Sequence, residues 1–335
     1  MTTNEKPDAQ KIALTGVKPT HSAPHLGNYL GAIRPALRLT DRFDGMYFIA
    51  DYHALTSMRD PAALRASIYD VTATWLACGL DPARTILYRQ SAIPEVFELA
   101  WVLSCVVATG QLERGHAYKA AVDAGESPNA GIFYYPVLMA ADIVLYGCDV
   151  VPIGQDQKQH LELARDMAER VNHLWGEGTL VVPEAFLSDA PLVPGLDGKK
   201  MSKSGGNSVP LFEDAKSLRK LIMKLVTGSE PLEAPKPSDG TTVFELYKLV
   251  ATEPEIAAMR EKLAAGGSYG WGHAKQDLYE AIERELGAKR EVYRALRADE
   301  AKLDAILEDG AARARVIARR TMERVRAAIG IAKPR

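Results

Sequence analysis

Between Lys11 and Asn172 the chain alternates short apolar runs with longer stretches whose apolar residues recur every three or four positions. That alternation is the pattern of βαβ units, in which a helix carries the chain back between parallel strands and covers the sheet on both faces. Strand candidates are Lys11 to Thr15, Met46 to Ala50, Thr85 to Arg89 and Val150 to Ile153. Helix candidates follow them: Leu26 to Thr40, a segment opened by Asp60-Pro61 as cap and first-turn proline, another opened near Pro94, and Asp156 to Asn172. Pro152 counts against the last strand, because proline removes a ladder donor. The pattern predicts an α/β fold on a doubly wound parallel sheet.

From Val182 to Gly240 the composition turns to Pro, Gly, Ser and Lys, and beyond Thr241 the pattern is helical, with Phe244 to Leu249 and a long run from Ala274 to Leu296. The expected division is an α/β unit at 11–185, a linker at 186–206 and a helical unit at 207–330, with the last helix a candidate to pack back on the first unit. In the final segment Arg313, Arg315, Arg319, Arg320, Arg324 and Arg326 surround a single acid, Glu323, while Ala318, Met322, Val325 and Ile329 keep helical spacing. Such a helix docks by its apolar face and presents arginines either to solvent or to phosphate. Across 335 residues, 41 Lys and Arg stand against 43 Asp and Glu, so the chain is no general nucleic-acid coat and any basic face is local. Cys78, Cys105 and Cys148 are widely spaced among apolar neighbours, which predicts buried thiols in a reducing compartment. The first ten residues are polar, and Leu99 to Ala108, the longest apolar stretch, is too short to span a bilayer, so a cytoplasmic protein is expected.

After the first strand comes Thr15-Gly16-Val17-Lys18-Pro19-Thr20-His21-Ser22-Ala23-Pro24-His25-Leu26-Gly27-Asn28-Tyr29, a loop of small residues that runs into a helix N-terminus. Unpaired backbone N–H groups and the positive end of the helix dipole make such a terminus an anion site. Gly27 lets a nucleotide base approach the backbone, and His25 and Asn28 are donors sized for phosphate oxygens. Farther on, Asp197-Gly198-Lys199-Lys200-Met201-Ser202-Lys203-Ser204-Gly205-Gly206 sets lysines and hydroxyls on a glycine-flanked loop. A cationic loop closing over a triphosphate stabilises the charge that builds on departing pyrophosphate without holding the ground state tightly. A third pattern is a helix face carrying Tyr135, Met139, Asp142, Ile143 and Tyr146. Singly, each pattern has a plainer reading: an ordinary βα turn, a solvated basic loop, an acid on a helix surface.

Together the two loops resemble the paired signatures of class I aminoacyl-tRNA synthetases, the His-Ile-Gly-His-like motif at His25-Leu26-Gly27-Asn28 and a literal Lys-Met-Ser-Lys-Ser at 200–204. Asn28 in place of the last histidine is the form of the tryptophan branch. Gly27 to Ile33, Asp51 to Thr56, Leu138 to Ile143 and Val151 to His160 agree with that branch too, and the resemblance covers most of residues 11 to 330. It implies a Rossmann-like catalytic domain with a C-terminal all-helical domain. It further implies ATP and Mg2+, no resident metal site, L-tryptophan and its tRNA as substrates, a homodimer, and no membrane or DNA partner.

By the same resemblance His25, Asn28, Lys200 and Lys203 carry catalysis. ATP is expected against Lys18, Thr20, His25, Gly27, Asn28, Gly154, Asp156, Gln157, Lys200, Met201, Ser202, Lys203 and Ser204, with Asp156 on its ribose. Tryptophan is expected against Lys18, His53, Tyr135, Met139, Asp142, Ile143, Ile153 and Gln157, with His53 and Gln157 on its ammonium and carboxylate. Its indole is a large apolar ring with one N–H donor and no acceptor, so Asp142 suits that donor while Met139 and Ile143 pack the ring, and phenylalanine would leave the carboxylate unmatched. Lys18 stands where many bacterial members have glutamine and is expected to pair with the substrate carboxylate. Lys119 matches a family lysine, whereas Ala121 removes a second phosphate contact. The helical unit and the arginine helix are expected to meet tRNA phosphates. Two rivals stay open: a tyrosine-specific relative, and a non-catalytic RNA-binding protein on a synthetase fold.

Overall fold

Five parallel strands make the sheet: β1 (Ile12–Val17), β2 (Asp44–Ile49), β3 (Ile86–Arg89), β4 (Val150–Ile153) and β5 (Glu184–Leu187), in the order β3-β2-β1-β4-β5. The structure, a computed structural model, describes residues 11–19, 24–153, 158–187, 191–202 and 205–332. β1 pairs with β2 from Ile12↔Asp44 to Val17↔Ile49, and β2 with β3 from Met46↔Ile86 to Ile49↔Arg89. The chain begins in the middle, winds out to β3 and returns to the other side of β1. That reversal opens a crevice at the carboxyl ends of β1 and β4, where doubly wound sheets hold their ligands. Pro152 lies beyond the Ala13↔Val150 pairing of β4 with β1, where its missing N–H interrupts no ladder, and opposite Phe186 in the pairing with β5. β5 was not foreseen. As an edge strand it exposes Glu184 and Ala185, so no continuous apolar run marks it.

The first crossover begins as α1 (Leu26–Asn28), passes through a π-helical turn at Tyr29–Ile33 and ends as α2 (Arg34–Arg38). α3 (Asp51–Ala54) and α4 (Pro61–Ala77) follow β2, the latter capped by the Asp60 carboxylate accepting from the Ala62 and Ala63 N–H groups. α5 (Glu95–Ser104), α6 (Thr109–Glu113), α7 (His116–Asp123) and α8 (Ala130–Val144) lie between β3 and β4, and α9 (Lys158–Trp175) between β4 and β5. The helical remainder is α10 (Ala215–Ile222), α11 (Thr242–Val250), α12 (Glu253–Ala265), α13 (Trp271–Arg297) and α14 (Glu300–Ala328).

Side chains of β2 alternate between two cores as a period of two requires. Met46 and Phe48 join Val96, Val137, Ala164 and Ala318 on one face of the sheet. Tyr47 and Ile49 join Leu30, Trp75, Phe244, Met259 and Leu278 on the other, so the α/β and helical parts share one apolar cluster. The Tyr29 hydroxyl donates to Glu285 on α13, and Lys289 donates to the same carboxylate at 3.1 Å.

The arginine row departs from expectation. α14 lies along β3, the strand at the sheet's edge, at Gly310, where an added Cβ would stand 1.9 Å from the Leu87 carbonyl oxygen. Covering an edge strand with a helix removes a site of unwanted pairing. Arg313 donates to the carbonyls of Pro82 and Thr85 at 2.7 and 2.6 Å, Arg315 to that of Ala92 and Arg324 to that of Thr179 at 3.4 Å. Arg326 pairs with Glu98, and Arg319 with Glu95 at 3.4 Å. Arg313, Arg315 and Arg326 thus help fasten the last helix to the α/β part, while Arg319, Arg320 and Arg324 are exposed. Cys78 and Cys148 are buried as expected, but Cys105, at the C-cap of α5, is exposed. No helix among the described residues is long and apolar enough to cross a membrane.

Candidate active site

The two signature loops touch although they lie 174 residues apart: the Gly27 N–H donates to the Met201 thioether sulfur at 3.2 Å. Leu26 N–H donates to the Val209 carbonyl at 2.8 Å and Leu211 N–H to that of Pro24 at 2.9 Å. Asn28 N–H donates to His25 Nδ1 at 3.2 Å, and His25 N–H to Asn28 Oδ1 at 3.0 Å. The expectation of open backbone donors at this terminus is therefore corrected. The N–H groups of Leu26, Gly27 and Asn28 all have protein acceptors, because the residues that make the motif polar also cap it. What the terminus offers a phosphate is side chains. With Nδ1 accepting, the neutral His25 ring carries its proton on Nε2.

The lysine segment is a hairpin end. Met201 N–H donates to the Val193 carbonyl at 2.8 Å and Gly195 N–H to that of Lys199 at 2.6 Å, around a turn where Gly198 adopts φ +82°. Buried Asn207 holds the loop from inside. Its Oδ1 accepts from Ser202 N–H at 2.8 Å, and its Nδ2 donates to the Asp197 carboxylate at 2.6 Å and the Lys200 carbonyl at 3.2 Å. Lys199 and Lys200 are exposed while Met201 is buried. Thr20, Gly154, Asp156, Gln157, Lys203 and Ser204 lie outside the described residues, as does the side chain of Ile153.

Across the crevice, Lys18 at the end of β1 donates from Nζ to Thr56 Oγ1 at 3.1 Å, and burial pushes its pKa below that of an ordinary lysine. Asp142 on α8 is 1% exposed. Its Oδ2 lies 2.9 Å from His53 Nε2, and Gln90 Nε2 donates to Oδ1 at 2.9 Å and to Oδ2 at 2.7 Å. Burial pushes this carboxyl's pKa up, against the hydrogen bonds from His53 and Gln90. Among the described residues His53 Nδ1 is buried with no hydrogen-bond partner, and the Tyr135 ring meets the imidazole edge-on at 4.4 Å. Tyr135 and Met139 are half-buried, and Ile143 is packed into the core. Lys119 is exposed on α7, two residues before half-buried Ala121.

Sequence reasoning missed Gln90 and Asn207. The only signal for Gln90 was its place directly after a strand, on the side of the sheet where ligands lie. Asn207 had none beyond its closeness to the lysine loop.

A 3-2-1-4-5 parallel sheet, a capped glycine turn touching a lysine hairpin, and a buried carboxylate across the crevice define a nucleotide-dependent activating domain. Residues 6–287 match the family described as tRNA synthetases class I (W and Y). The tryptophan–tRNA ligase of Pseudomonas aeruginosa is 48% identical over 331 residues, covering 95% of this chain and 73% of that protein. The tryptophanyl-tRNA synthetase of Campylobacter jejuni complexed with ADP and tryptophan matches with a TM-score of 0.89 at 40% identity, over 95% of this chain and 99% of that one. A tyrosyl-tRNA synthetase from Archaeoglobus fulgidus, complexed with L-tyrosine, shares the fold with a TM-score of 0.64 at 19% identity. The chain belongs to the class I tRNA synthetases of the tryptophan and tyrosine family.

Proposed function

We propose that this chain attaches L-tryptophan to its tRNA in two steps. The amino acid carboxylate attacks the α-phosphate of ATP to give tryptophanyl-adenylate and pyrophosphate. The terminal ribose hydroxyl of tRNA then attacks the activated carbonyl. What supports tryptophan is Asp142, a buried acceptor on an otherwise apolar helix face bordered by Tyr135 and Met139, which suits a ring donor and rejects phenylalanine, together with 48% identity to a tryptophan–tRNA ligase.

Positioning and charge do the chemistry, with no covalent nucleophile. His25 Nε2–H, Asn28, Lys200 and Lys203 serve the phosphates, with Gly27, Met201, Ser202, Ser204, Thr20, Gly154, Asp156 and Gln157 completing the nucleotide site. The donor set fits a triphosphate: exposed lysines and a histidine whose proton is placed on Nε2. Mg2+ carried with the nucleotide would offset the phosphate charge. The His53 ring, donating from Nε2 to Asp142, keeps a lone pair on Nδ1 for the substrate ammonium, and Lys18 takes the carboxylate.

We assign 11–185 to the two small substrates, 186–206 to the lysine loop, and 207–330 to tRNA. A cytoplasmic homodimer is part of the proposal. Its support is an exposed apolar patch in which Tyr52 meets Phe97 edge-on at 4.6 Å, beside Leu55 and a Trp101 that is 70% exposed.

Pyrophosphate exchange with each amino acid in turn tests the function. Tryptophan should exceed phenylalanine by about 10⁴-fold in kcat/KM. Exchange with tyrosine to the same extent defeats the tryptophan assignment, and tRNA binding without any exchange defeats the enzyme.

A further inference from the structure

Asp142 accepts from His53 Nε2 and from the Gln90 amide, whose Nε2 lies 2.9 Å from Oδ1 and 2.7 Å from Oδ2. A carboxylate accommodates about four hydrogen bonds, so room is left on it, and whatever fills that room must be a donor. Gln90 is itself fully buried, and its orientation is fixed from behind. Its Oε1 accepts from the Tyr52 N–H at 3.2 Å, which turns Nε2 toward Asp142. Tyr52 N–H is shared with Asp51 Oδ1 at 3.0 Å, and Asp51 in turn accepts from the backbone N–H of Ser91 at 3.0 Å and from its hydroxyl. The ends of β2 and β3 are thus stitched together behind the amide, so Gln90 has no freedom to flip without breaking that bond.

An amide also has no proton to share. A second carboxyl or an imidazolium in this position would titrate with Asp142 and convert it, in part, into a donor. Among the described residues the titratable groups facing Asp142 are His53 and Asp51 near the end of β2, Tyr88 on β3, Tyr135 on α8 and Tyr146 just beyond it. Against them Gln90 is the neutral donor.

We propose that Gln90 is a specificity-determining positioning residue that holds Asp142 oriented as a pure acceptor, and thereby selects an amino acid whose ring carries an N–H. The inference rests on the tryptophan reading above. Gln90 does not touch the substrate in this scheme and acts through the carboxylate.

The test is pyrophosphate exchange by the full chain with L-tryptophan and with 3-benzothienyl-L-alanine, in which sulfur replaces the ring N–H. Gln90→Met keeps the volume and removes the donor. It should raise the KM for tryptophan about tenfold or more while the KM for ATP and for the sulfur analogue hold, so that discrimination collapses. Gln90→Glu places a carboxyl beside Asp142 and forces the pair to share a proton. With one proton shared, the new carboxyl donates to Asp142 only part of the time, so the tryptophan KM should be nearest the native value, though above it, at pH 6 and rise toward pH 8. An unchanged tryptophan KM in Gln90→Met overturns the proposal, as does an equal loss for both amino acids together with a shifted ATP KM. Should Gln90→Met fail to fold, as judged by thermal unfolding, the Gln90→Glu profile decides, and a flat profile overturns the proposal. The native chain is assayed first, since failure to use tryptophan there defeats the underlying function and not the role of Gln90.

Discussion

At one end of the crevice His53 and Gln90 are buried and bonded to buried Asp142, while at the other Lys199 and Lys200 ride exposed on a hairpin that Asn207 braces from inside. The difference follows from what each end has to do. Discrimination between aromatic rings needs an acceptor held in one orientation, which a buried, hydrogen-bonded network supplies. Stabilising pyrophosphate as it departs needs charge that arrives in the transition state, which suits solvated lysines on a loop. Selectivity should therefore reside at the first end and turnover at the second.

The largest expected effect tests the buried end. Asp142→Ala removes the acceptor and leaves the His53 and Gln90 donors without it, so kcat/KM for tryptophan should fall by about a hundredfold or more while the KM for ATP holds. Steady-state exchange kinetics decide it; a parallel rise in the ATP KM would show that the two ends are not separately built. In the native chain, because burial raises the Asp142 pKa, the tryptophan KM should climb on acidification at a pH above the ordinary carboxylate range.

Asn207→Ala comes next. Freed from its three contacts with Asp197, Lys200 and Ser202, the lysine hairpin loses its set position, and kcat for adenylate formation should drop roughly tenfold with tryptophan KM unchanged. Single-turnover measurement of adenylate formation separates this from a binding defect, and a loss confined to KM would contradict the division.

The smallest effect is expected at Lys18→Gln, where the ammonium is half-buried and paired to Thr56. The tryptophan KM should rise by a factor of about 3 to 10. Its lowered pKa means that native affinity should decline on the alkaline side at a lower pH than an ordinary lysine would give. Unchanged amino acid affinity and activation rate in the variant would remove Lys18 from the carboxylate site.

Much of this architecture was legible before any coordinates. β1 to β4 are apolar runs because both faces of the sheet are covered, as Met46 and Tyr47 show by entering different cores. β5 was illegible because an exposed edge strand need not be apolar. The signature residues were legible as types, yet their use was not. His25 and Asn28 announce phosphate chemistry in sequence, but the backbone donors beside them are taken by each other, by Met201 and by Val209. The arginines of α14 were visible as charge, and their carbonyl partners at Pro82, Thr85 and Ala92 were not. Gln90 and Asn207 are single polar residues whose meaning lies entirely in what other elements bring to them.

By itself the sequence determined the fold class, the two loops and the acidic residue of the helix face, because these depend on periodicities of two and 3.6 and on short runs whose backbone behaviour is local. Tertiary structure alone decided that Gly27 meets Met201 across 174 residues, that Asp142 is satisfied by His53 and Gln90, and that the last helix lies along β3 at Gly310. Hydrogen bonds and close packing reward proximity in space, and proximity between distant segments is set by how whole faces of sheet and helix bury themselves, not by any residue's neighbours along the chain.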